Sequence, residues 1–319
     1  MAEIRCCGYS RPLQRAIADF GADVPFARVG EKLKEHYGIT VCASAAATVT
    51  YRHAQKLTPE DIQPQALVKP ASVLIAEADG SMIPIVECGG TDAADGEADK
   101  RKRRRVFWKE ARLSLVRRPA EITPTFAVTL GDAQACGQQI KALALSAGLT
   151  RTTRVHALGD GAPWIADQIE QQFGVQGRYL IDFYHLCDYL AAAAPACASG
   201  STASWLEIQK ARMRSGELAT VMTELDIHRE PDAVSDDTPV RNAYRYIANR
   251  TGQFDYPAAI ADQLPIGSGE VESAHRYIIQ KRLKLPGAWW TIGNAQTMLN
   301  LRSLRANHRW ADYWSRQAA

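Results

Sequence analysis

The sequence predicts an α/β fold in which a mixed sheet is flanked by helices and interrupted by an all-helical insertion. Three observations support this class. Strand-like apolar runs come first as a meander at 72–116 and then alternate with helices at 154–197. Residues 201–263 carry helical patterns without a strand signal. Residues 10–57 read as three short amphipathic helices, which form a separate N-terminal unit.

The chain divides into four predicted regions. Residues 1–63 form the helical unit, residues 70–190 the first part of the sheet core, residues 191–263 the helical insertion, and residues 264–319 the last core helix with basic C-terminal helices. Glycine-bearing turns between the N-terminal helices are compatible with a helix-turn-helix DNA-binding unit. The alternative is a helical extension that packs on the main domain.

Each core element has its own signal. Strands are predicted at 72–79, 82–87, 106–116, 154–158 and 177–181, and the Asp-Gly-Ser sequence at 79–81 predicts a tight hairpin between the first two. Helices are predicted at 131–147, 162–173, 183–197, 268–284 and 294–305.

Composition places the chain among ordinary globular proteins. It has 319 residues, of which 46% are hydrophobic and 23% charged. The longest apolar stretches are far shorter than a membrane span, and the first residues do not resemble a secretory signal, so a cytoplasmic location is expected. Seven cysteines without a Cys-x-x-Cys pair argue against a disulfide framework and against a thiolate zinc site.

Positive charge is concentrated in two places, although the net charge is only +3. Residues 275–319 hold eight Lys or Arg and one acid, and residues 100–105 form an unbroken basic run. A solvated loop is the usual explanation for such a run, and the tryptophans near the C-terminus could stack on bases or fill a core. The predicted DNA-contacting residues are Lys100, Arg101, Lys102, Arg103, Arg104, Arg105, Arg276, Lys281, Arg282, Lys284, Arg302 and Arg305.

Two acidic residues end predicted strands. Asp79 follows the apolar run at 72–78, and Asp160 follows the strand at 154–158. Either could be structural, since Asp79 precedes a glycine in a turn sequence and Asp160 could cap the next helix. Ligand sites in α/β sheets gather at strand ends, however, and carboxylate oxygens are ligands that Mg²⁺ prefers. The pair therefore indicates a metal site.

A third carboxylate is expected on the helix at 268–284. Glu270 and Glu272 lie two residues apart and point to nearly opposite sides. Glu270 suits the helix dipole at the first turn, so Glu272 is predicted as the ligand. Asp182 and His185 follow the strand at 177–181, and a supporting role is predicted for both.

Four segments, taken in order, resemble a known family. They are Leu74-Ile-Ala-Glu-Ala-Asp79-Gly80, Gly159-Asp160-Gly161-Ala-Pro-Trp164, Asp182-Phe-Tyr-His185 and Ile266-Gly-Ser-Gly-Glu-Val-Glu272-Ser273. Together they are similar to the DDE transposases of bacterial insertion sequences, of the ISKra type related to Mutator-like elements. The similarity covers about residues 70–310.

The resemblance implies an RNase H-like core with Asp79, Asp160 and Glu272 as catalytic and metal-binding triad, and Asp182 and His185 as the motif after the second acid. It implies Mg²⁺, with Mn²⁺ able to substitute, water-driven cleavage at transposon ends, and transfer of the freed 3′-hydroxyl into target DNA. The implied partners are double-stranded DNA and at least a second copy of the chain, and no membrane is implied. The implied location is the bacterial cytoplasm, in association with the nucleoid.

Two alternatives use the same residues differently. An RNase H-fold nuclease would cut DNA without strand transfer, and a domesticated DNA-binding protein would keep the fold without the chemistry. The three intact carboxylates argue against the second, because a DNA-binding protein gains nothing from acids close to phosphates.

Overall fold

A five-stranded mixed sheet forms the centre of the protein. The computed structural model describes residues 8–62, 69–88, 104–233 and 237–318. The strands are β1 (Val73–Cys88), β2 (Arg104–Arg117), β3 (Thr125–Thr129), β4 (Arg154–Gly159) and β5 (Gly177–Ile181). Their order is β3-β2-β1-β4-β5. β1, β2 and β3 pair antiparallel, whereas β4 runs parallel to β1 and β5 parallel to β4. This arrangement confirms the predicted RNase H-like α/β class.

Helices surround the sheet and form both terminal regions. They are α1 (Arg11–Asp23), α2 (Phe26–Tyr37), α3 (Ala43–Gln55), α4 (Pro59–Ile62), α5 (Ala133–Ser146), α6 (Pro163–Phe173), α7 (Phe183–Cys197), α8 (Thr202–Ser215), α9 (Leu218–Ile227), α10 (Pro239–Ala248), α11 (Tyr256–Ala261), α12 (Gly269–Ala274), α13 (Lys281–Leu283), α14 (Ile292–Ala306) and α15 (Trp310–Ala318). Helices α8 to α11 confirm the predicted all-helical insertion.

The predicted hairpin at 79–81 is wrong. β1 continues through these residues for 16 positions, and residues 75–88 pair with β2 in one antiparallel register. A Cβ on Gly80 would lie 2.0 Å from Glu110 Oε1 on β2, so a larger residue here would require the Glu110 side chain to move. The true connection between β1 and β2 falls at 89–103, outside the described residues.

Two further elements differ from the prediction. β3 is not among the predicted strands, although Phe126, Ala127 and Val128 are buried in the sheet. The predicted helix at 268–284 is divided, because a π-helical segment, His275–Gln280, separates α12 from α13. Such widened turns interrupt α-helices mostly over short stretches and often near functional sites.

The two sheet faces are covered by different helices. Leu74, Ala76 and Ala78 of β1 pack with α5 and α6 in one core. Ile75 faces the insertion, and Ile83 faces α12 to α14. Because side chains alternate along a strand, Glu77 and Asp79 share the second face.

The N-terminal unit packs against the C-terminal helices. Its own core contains Ile17, Val29, Leu33 and Val49. His53 Nδ1 lies 2.9 Å from the Tyr313 hydroxyl of α15, and both residues are buried. The unit is therefore packed on the main domain, as the second interpretation of these helices expects, and its reading of DNA stays a prediction. None of the described helices has the length and apolar character needed to cross a membrane.

Candidate active site

Three aspartates lie in one row across the middle of β1 and the ends of β4 and β5. Glu77 pairs with Leu158, and Leu158 pairs with Leu180. Two residues further along each strand stand Asp79, Asp160 and Asp182. The backbone amide of Asp182 donates to Gly159 O at 2.8 Å, which extends the parallel register to this row. The carboxyl ends of β4 and β5 therefore meet the middle of β1 at the same level of the sheet.

Asp79 is half-buried and contacts a histidine. Its Oδ1 accepts from the Gly80 amide at 2.7 Å, and its Oδ2 lies 3.2 Å from His275 Nε2. His275 is only 3% exposed, and neither ring nitrogen makes a well-aligned hydrogen bond. The contact is thus close but poorly directed. It places the start of the π-helical segment directly against β1.

The loop that carries Asp160 is held by the insertion. Asp160 Oδ1 accepts from the Ala162 amide at 2.8 Å, and its carbonyl accepts from the Tyr246 hydroxyl at 2.7 Å. Ala162 is itself the N-cap residue of α6, which has no side-chain cap bond, so Asp160 does not cap this helix. Arg250 Nε donates to Gly161 O at 2.7 Å. Gly161 has φ of +87°, and a Cβ there would lie 2.6 Å from the Tyr246 hydroxyl. Glycine suits this turn because a side chain would be strained at this φ and would meet Tyr246. The loop therefore packs closely against α10.

Glu272 projects from α12 into the neighbourhood of the other carboxylates. Partial burial raises the pKa of Glu272, and the negative charges of Asp182 and Asp79 raise it further. Arg276 and His185 oppose this shift. Glu272 therefore lies within electrostatic reach of Asp79 and Asp182, whereas Asp160 joins the row through the strand register.

Glu270 points elsewhere. Its Oε2 accepts from Arg117 Nε of β2 at 2.7 Å. The ion pair uses the Glu270 carboxylate for attachment of α12 to the sheet. This separation of the two glutamates agrees with the expectation that they occupy nearly opposite sides of the helix.

Asp182 is buried and fully engaged. Its Oδ1 accepts from the amides of Tyr184 and His185 at 2.6 and 3.0 Å, which caps α7. Its Oδ2 accepts from the amide and hydroxyl of Ser268 at 2.5 and 2.6 Å. Four donors thus occupy one carboxylate that is 2% exposed. Asp182 joins β5 and α7 to the residue that precedes α12.

His185 belongs to an aromatic cluster beside this row. Its ring centroid lies 5.6 Å from that of Tyr189 and 5.8 Å from that of Tyr246. Tyr246 in turn bonds the Asp160 carbonyl, so His185 is connected to the Asp160 loop through packing.

Two residues near the site were not predicted from the sequence. Glu77 is 1% exposed, and its Oε2 accepts from the Val271 amide at 2.9 Å. Burial raises the pKa of Glu77 to about 8, although the Val271 amide opposes the shift. His275 is the second. Only their spacing from predicted ligands could have indicated these two residues. Glu77 is two residues before Asp79 on a strand, and His275 is one turn after Glu272 on a helix.

The donor chemistry fits a hard divalent cation. Asp79, Asp160 and Glu272 offer carboxylate oxygens, which are the ligands that a hard divalent cation prefers. With the side chains as they stand, no three His, Cys, Asp or Glu of the described residues form a group that could hold a metal ion. The fit is therefore one of ligand type and backbone placement.

The basic residues divide into exposed and structural ones. Arg104, Arg105, Arg276, Lys281 and Lys284 are exposed, and residues 100–103 lie outside the described residues.

Burial contradicts the prediction that Arg282 and Arg302 contact DNA. Arg282 is 3% exposed and lies between the rings of Phe26 and Trp290. Arg302 is 7% exposed; its Nε donates to Ile278 O, and its Nη1 pairs with Asp23 at 3.0 Å.

Arg305 is also committed to the fold. Its guanidinium pairs with Asp19 at 3.1 Å and with Asp23 at 2.8 Å, both on α1. Positive charge in this part of the sequence thus attaches the N-terminal unit. The buried Trp290 and Trp314 likewise fill the core.

Fold and geometry together define an RNase H-like α/β protein with a row of carboxylates across the middle of β1 and the ends of β4 and β5. The solved structure titled "Drosophila P element transposase strand transfer complex" matches with a TM-score of 0.38 and 10% identity, over 97% of this chain and 81% of that chain. No family model matches the sequence, and no curated protein matches it.

Proposed function

We propose that this protein is a DDE transposase of the ISKra type, which cleaves DNA at transposon ends and joins them to target DNA. The observation that supports this most is the shared row of Asp79 and Asp160, with the helix of Glu272 tied against the same sheet face. An RNase H-like sheet with carboxylates at this level offers oxygen ligands where a phosphodiester could approach from solvent.

In the proposed chemistry Asp79, Asp160 and Glu272 would hold Mg²⁺ or Mn²⁺, which would activate the attacking oxygen and stabilise the leaving oxygen. Asp79 would have to leave its contact with His275 to take this role. Water attacks the phosphodiester at the transposon end and the P–O3′ bond breaks, which leaves a 3′-hydroxyl. That hydroxyl then attacks a phosphodiester of the target: a new P–O3′ bond joins the two strands, and the target's own P–O3′ bond breaks and leaves a 3′-hydroxyl on the target.

The exposed basic residues beyond Glu272 are proposed to contact the DNA backbone. Arg276, Lys281 and Lys284 follow Glu272 along the same segment and are exposed. Each neutralised phosphate releases counterions, so these residues contribute salt-dependent affinity. Arg104 and Arg105 at the start of β2 are assigned the same role.

The N-terminal unit is proposed to read the transposon ends. α2 ends at Gly38, which has a left-handed conformation, and α3 follows after a short turn. Ser44, Thr48 and Arg52 lie one turn apart on the exposed side of α3, which suits contact with a DNA groove. Two ends must be held together, so a homodimer or larger assembly is part of the proposal.

A joining assay tests the proposal. Labelled duplexes that carry the inverted repeats flanking the gene are incubated with Mg²⁺ or Mn²⁺, with Asp160→Asn as the inactive control. The proposal expects a cleaved end with a 3′-hydroxyl and a joined product. Cleavage without joining indicates the nuclease, binding without either product indicates the DNA-binding protein, and both results overturn the transposase.

A further inference from the structure

We propose that Glu77 is a positioning residue that fixes the helix of Glu272 against β1 and thereby sets the distance between Glu272 and Asp79. The inference rests on the proposed function for its catalytic consequence. Its structural part, the attachment of α12 through Glu77, stands on the geometry alone.

The first step is the position of Glu77 on the strand. It lies two residues before Asp79 on the same face of β1, and it is 1% exposed. A carboxyl group so deeply buried is costly unless polar partners surround it. Its Oε2 accepts from the Val271 amide at 2.9 Å, a bond between residues 194 positions apart in the sequence. The strand that carries Asp79 is thus bonded directly to the residue beside Glu272.

The second step is the way in which α12 begins. The first amides of a helix lack partners within the helix and are usually satisfied by the side chain of the N-cap residue. Ser268 holds that position but makes no such bond, because its hydroxyl donates to Asp182 Oδ2. Glu77 takes over this role from outside the helix. The beginning of α12 is therefore defined by β1 rather than by its own sequence.

The third step is the place of this bond at the beginning of the helix. α12 continues directly into the π-helical segment His275–Gln280, so Val271 and Glu272 lie in the first turn of the whole helical run. Loss of the Glu77 bond leaves a buried amide without its partner and frees the first turn, which includes Glu272. Displacement of a ligand by a fraction of a turn is enough to weaken a metal site, since residues that orient ligands typically change affinity or activity by about 10–100-fold.

The test compares Glu77→Leu, Glu77→Gln and a control, Leu143→Ala, in the full-length protein. Leu143 is buried in the core on the opposite sheet face, so its truncation destabilises the fold without touching α12. The Glu77→Gln variant keeps a side-chain carbonyl oxygen that can accept from the Val271 amide. Two quantities are measured: amide hydrogen exchange over 269–274, and the Mn²⁺ concentration that gives half-maximal cation binding without DNA.

For Glu77→Leu we expect exchange at Val271 to accelerate by roughly tenfold and the Mn²⁺ requirement to rise by about tenfold or more. Glu77→Gln should stay close to the wild type in both, and Leu143→Ala should lower the melting temperature alone. Unchanged exchange in Glu77→Leu, or equal defects in the Gln and Leu variants, would overturn the inference. Because neither readout uses DNA, failure of the joining assay in the wild type would leave this test intact.

Discussion

At the scale of residues, the site brings carboxylates of like charge close together, and some of them are bonded to donors of the chain while others are proposed metal ligands. The negative charges of Asp182 and Asp79 act on Glu272, which costs free energy unless donors or a cation compensate. Asp182 is compensated by four donors of the chain, and Glu270 by Arg117.

The two glutamates of α12 should differ sharply in function. Glu272→Gln removes a proposed ligand and should lower the rate of cleavage by roughly a thousandfold, since a metal ion contributes several kcal/mol to the transition state. Glu270→Gln weakens only the attachment to Arg117 and should lose less than about tenfold. Single-turnover cleavage of labelled DNA measures both. Full activity in Glu272→Gln together with loss of activity in Glu270→Gln would show that Glu270, and not Glu272, is the metal ligand.

Buried and exposed basic residues should also separate experimentally. Arg302→Ala removes one of the two arginine partners of Asp23 and leaves several buried carbonyls without a donor, so it should destabilise the fold by about 2–4 kcal/mol. Lys281→Ala should change stability by less than about 0.5 kcal/mol. Its DNA affinity should instead fall, and the slope of log affinity against log salt should decrease by about 1. Urea unfolding measures the stability, and DNA binding at several salt concentrations measures the slope. An unchanged salt slope for Lys281→Ala would show that Lys281 does not contact DNA.

The sequence predicted some of the candidate site and missed the rest for a physical reason. Asp160 could be proposed because its strand is visible as an apolar run that stops at an acid. Asp79 was proposed from the same signal, although β1 continues past it. The contacts of Glu77 with Val271 and of His275 with Asp79 join residues about 194 and 196 positions apart. No local pattern encodes such pairs. The roles of Arg282 and Arg302 were wrong for the same reason, because their burial depends on α1 and α2.

At the scale of elements, β1 explains why a local signal failed. Asp-Gly is a strong turn signal between two apolar runs, yet β2 offers a continuous partner for both runs in one register. Pairing over the whole length outweighs the preference of two residues. The helices at 183–197 and the strand at 177–181 were predicted correctly, since each has a pattern of its own and clear end signals.

The packing of α3 against α15 should depend on pH. Burial lowers the pKa of His53 to about 4, compared with about 6.5 in an unfolded chain. The unfolded state therefore binds more protons between these values. Stability from neutral His53 is complete above about pH 6.5 and declines as the pH falls towards 4, by roughly 1–3 kcal/mol in total.

Fluorescence reports this packing directly, because the Trp314 ring lies 4.4 Å from that of His53. Urea unfolding should show lower stability at about pH 5 than at about pH 7. His53→Gln should reduce this pH dependence but not abolish it, since burial also lowers the pKa of His156. An equal pH dependence in His53→Gln and the wild type would rule out His53 as the cause.

At the scale of the whole molecule, segments distant in sequence complete one another. The insertion holds the Asp160 loop through Tyr246 and Arg250, and the C-terminal helices hold the N-terminal unit through Arg302 and Arg305. The fold class could be predicted from periodicity. Which region packs on which could not, since it depends on long-range ion pairs and buried hydrogen bonds.

Diffraction from crystals soaked in Mn²⁺ tests the central claim most directly, because anomalous scattering locates the ion without reference to any reaction. The account predicts bound Mn²⁺ in contact with carboxylate oxygens of Asp79, Asp160 and Glu272, with Asp79 turned away from His275. Mn²⁺ bound by Asp79 and Asp160 with Glu272 outside its coordination, or no ion at this row at saturating concentration, would contradict the account.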